Sequence, residues 1–442
     1  MDHVEYIIRF LLGEGNDVFL PMVSYGPQEN AKVIIEPSSF FEDGVYMTEK
    51  SLPKIPLQKL EGAEILYGEP RIIESDGQVR ICADLVASAF FLLTRYEECV
   101  RRDIRDEHGR FPGKESLPYR AGFLHRPIVD EYGVLLRRYL RQCGVEIPEP
   151  APGYRHIWLT HDVDTIWNWS NYYRALREVA RRVLFNLPDK TLPLKAVRNY
   201  KQFDPSYTFP WLTEKDAQVR QVYGAERCTP LYFFMGCTKE SDHDDGYMRK
   251  TKRTKDLLCY LRDNDCAVGY HVSYQASIKR TETPCEIDRI EALWGKKITH
   301  NRNHYLASRE PEDFRVLLNI GITDDFTMGY ADVAGFRLGT SRPVNWIDPA
   351  NRNVTNLRLH PMTVMECTLD RSIYMGIQKE DDAYHFVCEL LSHIYEHGGE
   401  IVFLWHNPSV SEKDPGYHRS LYQRLLRHLI ECHDRCPIDE TN

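Results

Sequence analysis

The sequence predicts an α/β protein in two units, the second a series of βα repeats around a parallel sheet or barrel. Three observations predict it. Short apolar runs at 157–160, 231–235, 267–270 and 401–405 alternate with longer helical patterns at 247–264, 310–319 and 383–397. That alternation is the mark of parallel strands joined by crossover helices. Between the units lies Glu146-Ile147-Pro148-Glu149-Pro150-Ala151-Pro152-Gly153, whose prolines and glycine suit neither helix nor central strand, so it reads as a linker. The length of 442 residues calls for two or three domains of roughly 100–200 residues each. The expected division is a smaller α/β unit at 1–145, a Pro-rich linker at 146–153 and the larger unit at 154–442.

In the first unit, Val4, Ile7, Ile8, Leu11 and Leu12 have the spacing of one helix face. Residues 32–35 read as a short strand stopped by Pro37, and 83–99 as a strong helix. The stretch 101–126 is polar and broken by Gly and Pro, a long loop. Residues 128–143 are helical again, with Gly144 at the C-cap position. Nothing in this unit names a chemistry by itself.

Composition narrows the function classes. The net charge is −9, from 56 basic and 65 acidic residues, which argues against a nucleic-acid partner. The first residues, Met1-Asp2-His3-Val4-Glu5-Tyr6, lack a basic and then apolar leader, so a cytoplasmic protein is expected. The longest apolar run, 87–93, is too short to span a bilayer. Twelve cysteines in such a chain are expected to be reduced. Cys432 and Cys436 flank His433 without further ligands in a zinc pattern, and read as helix surface. His393-Ile394-Tyr395-Glu396-His397 spells an inverted zinc-protease motif, but Gly398 and Gly399 follow at once. It reads as a helix C-terminus, where histidine suits the helix dipole.

In βα folds, chemistry collects where strands end. After the first strand comes Thr160-His161-Asp162-Val163-Asp164. Alternation puts Asp162 and Asp164 on one face, and two carboxylates that close need a cation between them or a raised pKa. The next strand ends in His271-Val272-Ser273-Tyr274-Gln275. Asn301-Arg302-Asn303-His304-Tyr305 follows, where Arg302 is suited to hold a buried carboxylate ionised. The last strand runs into Leu404-Trp405-His406. The loop-rich stretch with Asp324, Asp325, Asp332, Gly335 and Arg337 reads as polar loop. Trp167, Trp169, Trp346 and Trp405 suit either sugar stacking or a core, the core being the commoner use.

The order Thr-x-Asp-x-Asp, His-x-Ser, Arg-x-x-Tyr and late Leu-Trp-His resembles the polysaccharide deacetylases, the NodB-homology proteins of carbohydrate esterase family four. The resemblance spans about residues 155–410. It implies an irregular (β/α) barrel and a metal-dependent hydrolase that removes N- or O-acetyl groups from sugars. The first unit looks like the uncharacterised domain that precedes this barrel in a bacterial subgroup, through 88–98 and Asp106-Glu107-His108-Gly109-Arg110-Phe111-Pro112. By motif position, the resemblance implies that Asp162 is the base, Arg302 orients it, and His406 is the acid. Asp164 and His271 become ligands of a divalent ion, zinc by expectation, and a backbone N–H near Tyr305 an oxyanion donor. It also implies that 324–339 shapes the substrate side of the pocket. The family carries a further histidine four residues after the first, and here Gln275 stands there. The third ligand stays open among His161, His304, Ser273 and Gln275. The implied partner is an acetylated sugar or polysaccharide intermediate. The rival reading, raised by Gln275, is a non-catalytic carbohydrate-binding protein on a degenerate barrel.

Overall fold

A computed structural model describes residues 1–75, 77–309 and 311–435. Glu310 and Cys436 lie outside the described residues.

The chain opens with the helix His3–Leu12, whose first turn is capped by Asp2 and which buries Ile7, Ile8, Leu11 and Leu12 as its spacing predicts. A four-stranded sheet follows, ordered Val23–Tyr25, Val33–Ile35, Gln78–Ala83, Gly68–Ser75, with the last pair antiparallel. The single helix expected at 83–99 is two, Leu85–Leu93 and Tyr96–Val100. Arg95 between them has φ 53°, a left-handed backbone that no α-helix continues through. The loop expected at 101–126 contains short helical turns at Gly113–Glu115 and Leu117–Arg120. The helix Ile128–Gln142 then packs on the first helix.

Residues 146–153 form no helix or strand, yet they are tied down. Ile147 is buried, Glu149 accepts from Arg137 Nε at 2.7 Å, and the Gly153 N–H donates to Tyr395 O at 2.7 Å. One apolar cluster runs from Ile7 to Leu429, across both sides of this stretch. Ion pairs join the same two sides: Glu98 grips Arg337 at 2.7 and 3.0 Å in a buried pair, and buried Asp130 meets the partly exposed Arg342 Nε at 2.7 Å.

The large sheet has nine strands. In spatial order they are Val344–Asp348, Asn353–Pro361, Asp324–Met328, His300–Asn303, Ala267–Val272, Cys228–Phe234, His156–Val163, Glu400–Leu404 and Val364–Met365. All neighbours are parallel except the first two. The sheet curls, so that His360 on the second strand comes within 2.7 Å of Glu400 on the eighth. It is a partial barrel in a mixed α/β fold. Alternation along each strand separates two apolar layers. Leu231, Phe233, Phe326, Val402 and Leu404 fill the inside, while Ile157, Leu159, Val163 and Tyr232 face the outer helices. The inside face of the His156–Val163 strand therefore carries Trp158, Thr160 and Asp162.

The helix Glu380–Glu396 ends at His397 with Gly398 at φ 63°, which leaves His393 and His397 on a terminating turn. Among the described residues, no helix is long and apolar enough to cross a membrane, and the ten cysteines from Cys82 to Cys388 are free. Trp167, Trp346 and Trp405 are among the largest fully buried side chains, and Trp169 is buried as well.

Candidate metal centre

Parallel register builds the centre. The Ala267–Val272 and His300–Asn303 strands pair so that His271 lies opposite Arg302. His271 Nδ1 sits 2.8 Å from the Arg302 carbonyl. A carbonyl only accepts, so Nδ1 carries a proton, and the neutral ring presents the lone pair of Nε2. That lone pair faces Asp164 Oδ1 at 3.3 Å and Asp162 Oδ2 at 3.7 Å. His271 Nε2 and Asp164 Oδ1 are buried without a hydrogen-bond partner. Three acceptors converging out of water repel one another unless a cation lies among them.

His304 completes the group. Its Nε2 is 3.5 Å from Asp164 Oδ1, and the ligand atoms of Asp164, His271 and His304 lie within 4.8 Å of one another. A tetrahedral ion with bonds of about 2.1 Å holds its ligand atoms roughly 3.4 Å apart. The two measured O···N separations match that spacing, so an oxygen and two imidazole nitrogens fit a divalent ion. Asp244, buried, accepts from His304 Nδ1 at 3.1 Å and from the backbone N–H groups of Tyr274 and Gln275. It orients His304 as carboxylates behind metal-bound histidines do. Burial works against the charged His304, but Asp164 and Asp244 outweigh it and lift its pKa to about 9. A divalent cation would displace that proton. Burial likewise opposes the Asp164 charge, yet His304 and His406 hold its carboxyl well below the usual carboxylate range.

The other candidates for a third ligand lie elsewhere. His161 points to the outer face, where Trp405 O and Asp216 Oδ2 occupy its two ring nitrogens at 3.0 and 2.9 Å. Ser273 donates to Glu286 at 2.7 Å and caps the helix Tyr274–Ile278. Gln275 is on that short helix and lines a separate cavity with Asp244 and Glu286.

Asp162 and His406 flank the trio. Arg302, fully buried, donates from Nη1 to Asp162 Oδ1 at 2.9 Å and to Thr160 Oγ1 at 2.7 Å, and from Nε to Phe326 O at 3.0 Å. Its guanidinium lies over the Phe233 ring. His406 Nε2 is 3.5 Å from Asp164 Oδ2, and its Nδ1 is 2.8 Å from Glu366 Oε1. Glu366 is fully buried; burial disfavours its charge, but His406 beside it pulls its pKa down to about 2. Burial alone would lower the His406 pKa, and Glu366 with Asp164 raises it well above the ordinary value. Glu366 and Cys367 also approach His406 closely enough for a metal. The direct Glu366–His406 hydrogen bond accounts for that grouping.

Asp162, Asp164, His304 and His406 open into a cavity of ≈ 140 Å³ also lined by Arg110 and Arg371. Tyr305 and Leu306, with φ 60° and 54°, form its tight wall. The segment 106–112 reaches this wall. Arg110 donates to Tyr305 O at 3.1 Å, and the His108 ring lies 4.4 Å from the Tyr305 ring. By contrast, Asp332 and Arg337, implied to shape the substrate side, bind earlier parts of the chain: Asp332 accepts from the Gly113 N–H at 2.7 Å, and Arg337 from this loop pairs with Glu98. Asp325 is buried and bonded to Asn301 and Thr327. Asp244, Glu366 and Arg110 escaped the sequence reading. Arg110 alone left a signal there, inside the segment 106–112.

Residues 4–144 match the model of a family of unknown function, DUF7033. No curated protein matches the chain at a significant level. Among solved structures, a protein assigned as a polysaccharide deacetylase from Mycobacterium smegmatis has a TM-score of 0.39 at 11% identity, covering 65% of this chain and 90% of that one. An allantoinase has a TM-score of 0.36 at 11% identity, over 62% and 84%. A protein assigned as a polysaccharide deacetylase involved in O-antigen biosynthesis from Bordetella bronchiseptica has 0.30 at 12%, over 63% and 84%.

Proposed function

We propose that this protein is a metal-dependent hydrolase that removes an acetyl group from a sugar or polysaccharide precursor. The observation that carries the reading is the unpartnered His271 Nε2 facing Asp164 Oδ1, with His304 beside them. Asp164, His271 and His304 would hold the ion, zinc by the two-imidazole donor set. Such an ion supplies a polarised carbonyl and an acidified water. Asp162, pinned by Arg302, takes a proton from the attacking water. His406 keeps its Nδ1 proton on Glu366 and delivers the Nε2 proton to the departing amine or alcohol. Arg110 and Arg371 border the space for the sugar.

The non-catalytic carbohydrate-binding reading rests on Gln275. With His304 beside Asp164 and His271, the donor set does not need that position. The deciding experiment is acetate release from a panel of acetylated saccharides by zinc-loaded protein, beside the Asp162→Asn variant. The proposal expects acetate from the wild type and at least a hundredfold less from the variant, on the scale of a lost general base. Saccharide binding with no acetate from either protein would instead establish the binding reading.

A further inference from the structure

We propose that the helix Tyr172–Leu184 is an interfacial anchor that docks the protein on an anionic lipid bilayer. At 3.6 residues per turn, Tyr172, Tyr173, Leu176, Val183 and Leu184 share one sector of this helix. In a soluble protein such a stripe faces the core. Here it faces solvent. Tyr173 is 76% and Leu184 78% exposed, the other three are more than half exposed, and Phe185 extends the patch. The inward side is Ala175, packed with Leu192, Ala196 and Val197 near Trp169. Six of the fourteen large hydrophobic side chains exposed among the described residues fall within 172–185, so this is one patch rather than scatter.

Charge indicates what covers it. Residues 172–201 hold eight basic and two acidic side chains, within a chain whose net charge is −9. Arg177 and Arg181 border the stripe one turn apart, and Arg181 also reaches Glu178. An exposed apolar stripe with tyrosines, edged by arginines, is the composition of a helix lying at the headgroup–acyl boundary of an anionic membrane. A second copy of the chain fits less well. Twofold pairing of this helix would set arginines against arginines, between molecules that already repel.

The anchor belongs to the end of the sheet that carries the metal centre. It starts eight residues after Asp164, and Arg174 on it pairs with Glu240, four residues before Asp244. A sugar carried on a lipid would therefore meet the strand ends directly. That consequence rests on the deacetylase reading, whereas the docking does not.

The test is co-sedimentation of the full chain with vesicles of phosphatidylglycerol and phosphatidylcholine in equal parts, against phosphatidylcholine alone. Metal content is read on the same samples. The wild type is expected to sediment with the anionic vesicles and stay in solution with the neutral ones. Leu176→Asp with Val183→Asp, both exposed positions, should abolish binding while circular dichroism and metal content stay unchanged. Arg177→Gln should weaken binding about fivefold at moderate salt. A folded wild type that ignores anionic vesicles, or an L176D/V183D variant that binds them equally, overturns the proposal. So does a wild-type dimer dissociated by those substitutions without vesicle binding. Vesicle binding by a protein that takes up no metal would sink the deacetylase reading and leave the anchor standing.

Discussion

Asp244 Oδ1 lies 3.1 Å from Nδ1 of His304, whose other ring nitrogen faces Asp164 at 3.5 Å. A buried carboxylate thus sets which nitrogen of His304 is offered to the centre. Replacing it should loosen the ion without removing a ligand. Asp244→Ala is expected to weaken zinc affinity by about 10–100-fold, measured by competition with a chromogenic chelator. Unchanged affinity would mean that Asp244 only caps the turn at Tyr274 and Gln275.

The third ligand is separable by two variants. His304→Ala should lose the bound ion, and Gln275→Ala should keep it, when both are dialysed and assayed for metal. The reverse pattern would return the ligand to Gln275.

Glu366→Gln tests the acid. The substitution keeps a hydrogen bond to His406 but removes the negative charge behind it. Acetate release should fall by about 10²–10⁴-fold if proton delivery limits turnover, with metal content unchanged. A variant that turns over normally would remove His406 from the role of acid.

How much of this was legible follows from where each residue sits in the chain. Asp162, Asp164, His271, Arg302 and His406 all fall at strand ends, and short apolar runs locate strand ends in a parallel sheet. Asp244 and Glu366 lie in the segments 238–246 and 366–370, with no local pattern, and only the closing of the fold brings them behind His304 and His406. His304 was one of four open ligand choices: alternation already sets His161 on the face opposite Asp162 and Asp164, but only the closing of the fold brings His304 beside Asp164. The helix at 83–99 hid its break, since Arg95 is an ordinary residue in an extraordinary backbone conformation. Periodicity along 172–184 reveals an apolar stripe but not that it faces outward.

At the opposite end of the barrel, His360 sits between Asp324 and Glu400, at 3.0 and 2.7 Å. Burial would lower its pKa, but Glu400 and then Asp324 outweigh it and raise it to about 9. A raised folded-state pKa stabilises fully below the unfolded value of about 6.5 and is lost as pH climbs through about 9. His360→Gln should therefore cost roughly 3 kcal/mol below about pH 6, and the gap to wild type should close toward about pH 9.5. Thermal melts of both proteins across that range check it, and a gap that widens with pH would contradict it.

Breaking the buried pair beneath the base should be felt in stability as well as activity. Arg302→Met leaves the buried Asp162 carboxyl without its ion-pair partner, at a cost of about 3–5 kcal/mol. Denaturant unfolding of the variant measures it, and a loss under about 1 kcal/mol would show that water solvates Asp162 freely.

The most direct test of the central claim is metal stoichiometry of the purified, zinc-reconstituted chain beside an Asp164→Ala, His271→Ala double variant. The account predicts one tightly held divalent ion per wild-type chain and none in the double variant, with both proteins folded. No ion in the reconstituted wild type, or an equal content in both, would contradict it.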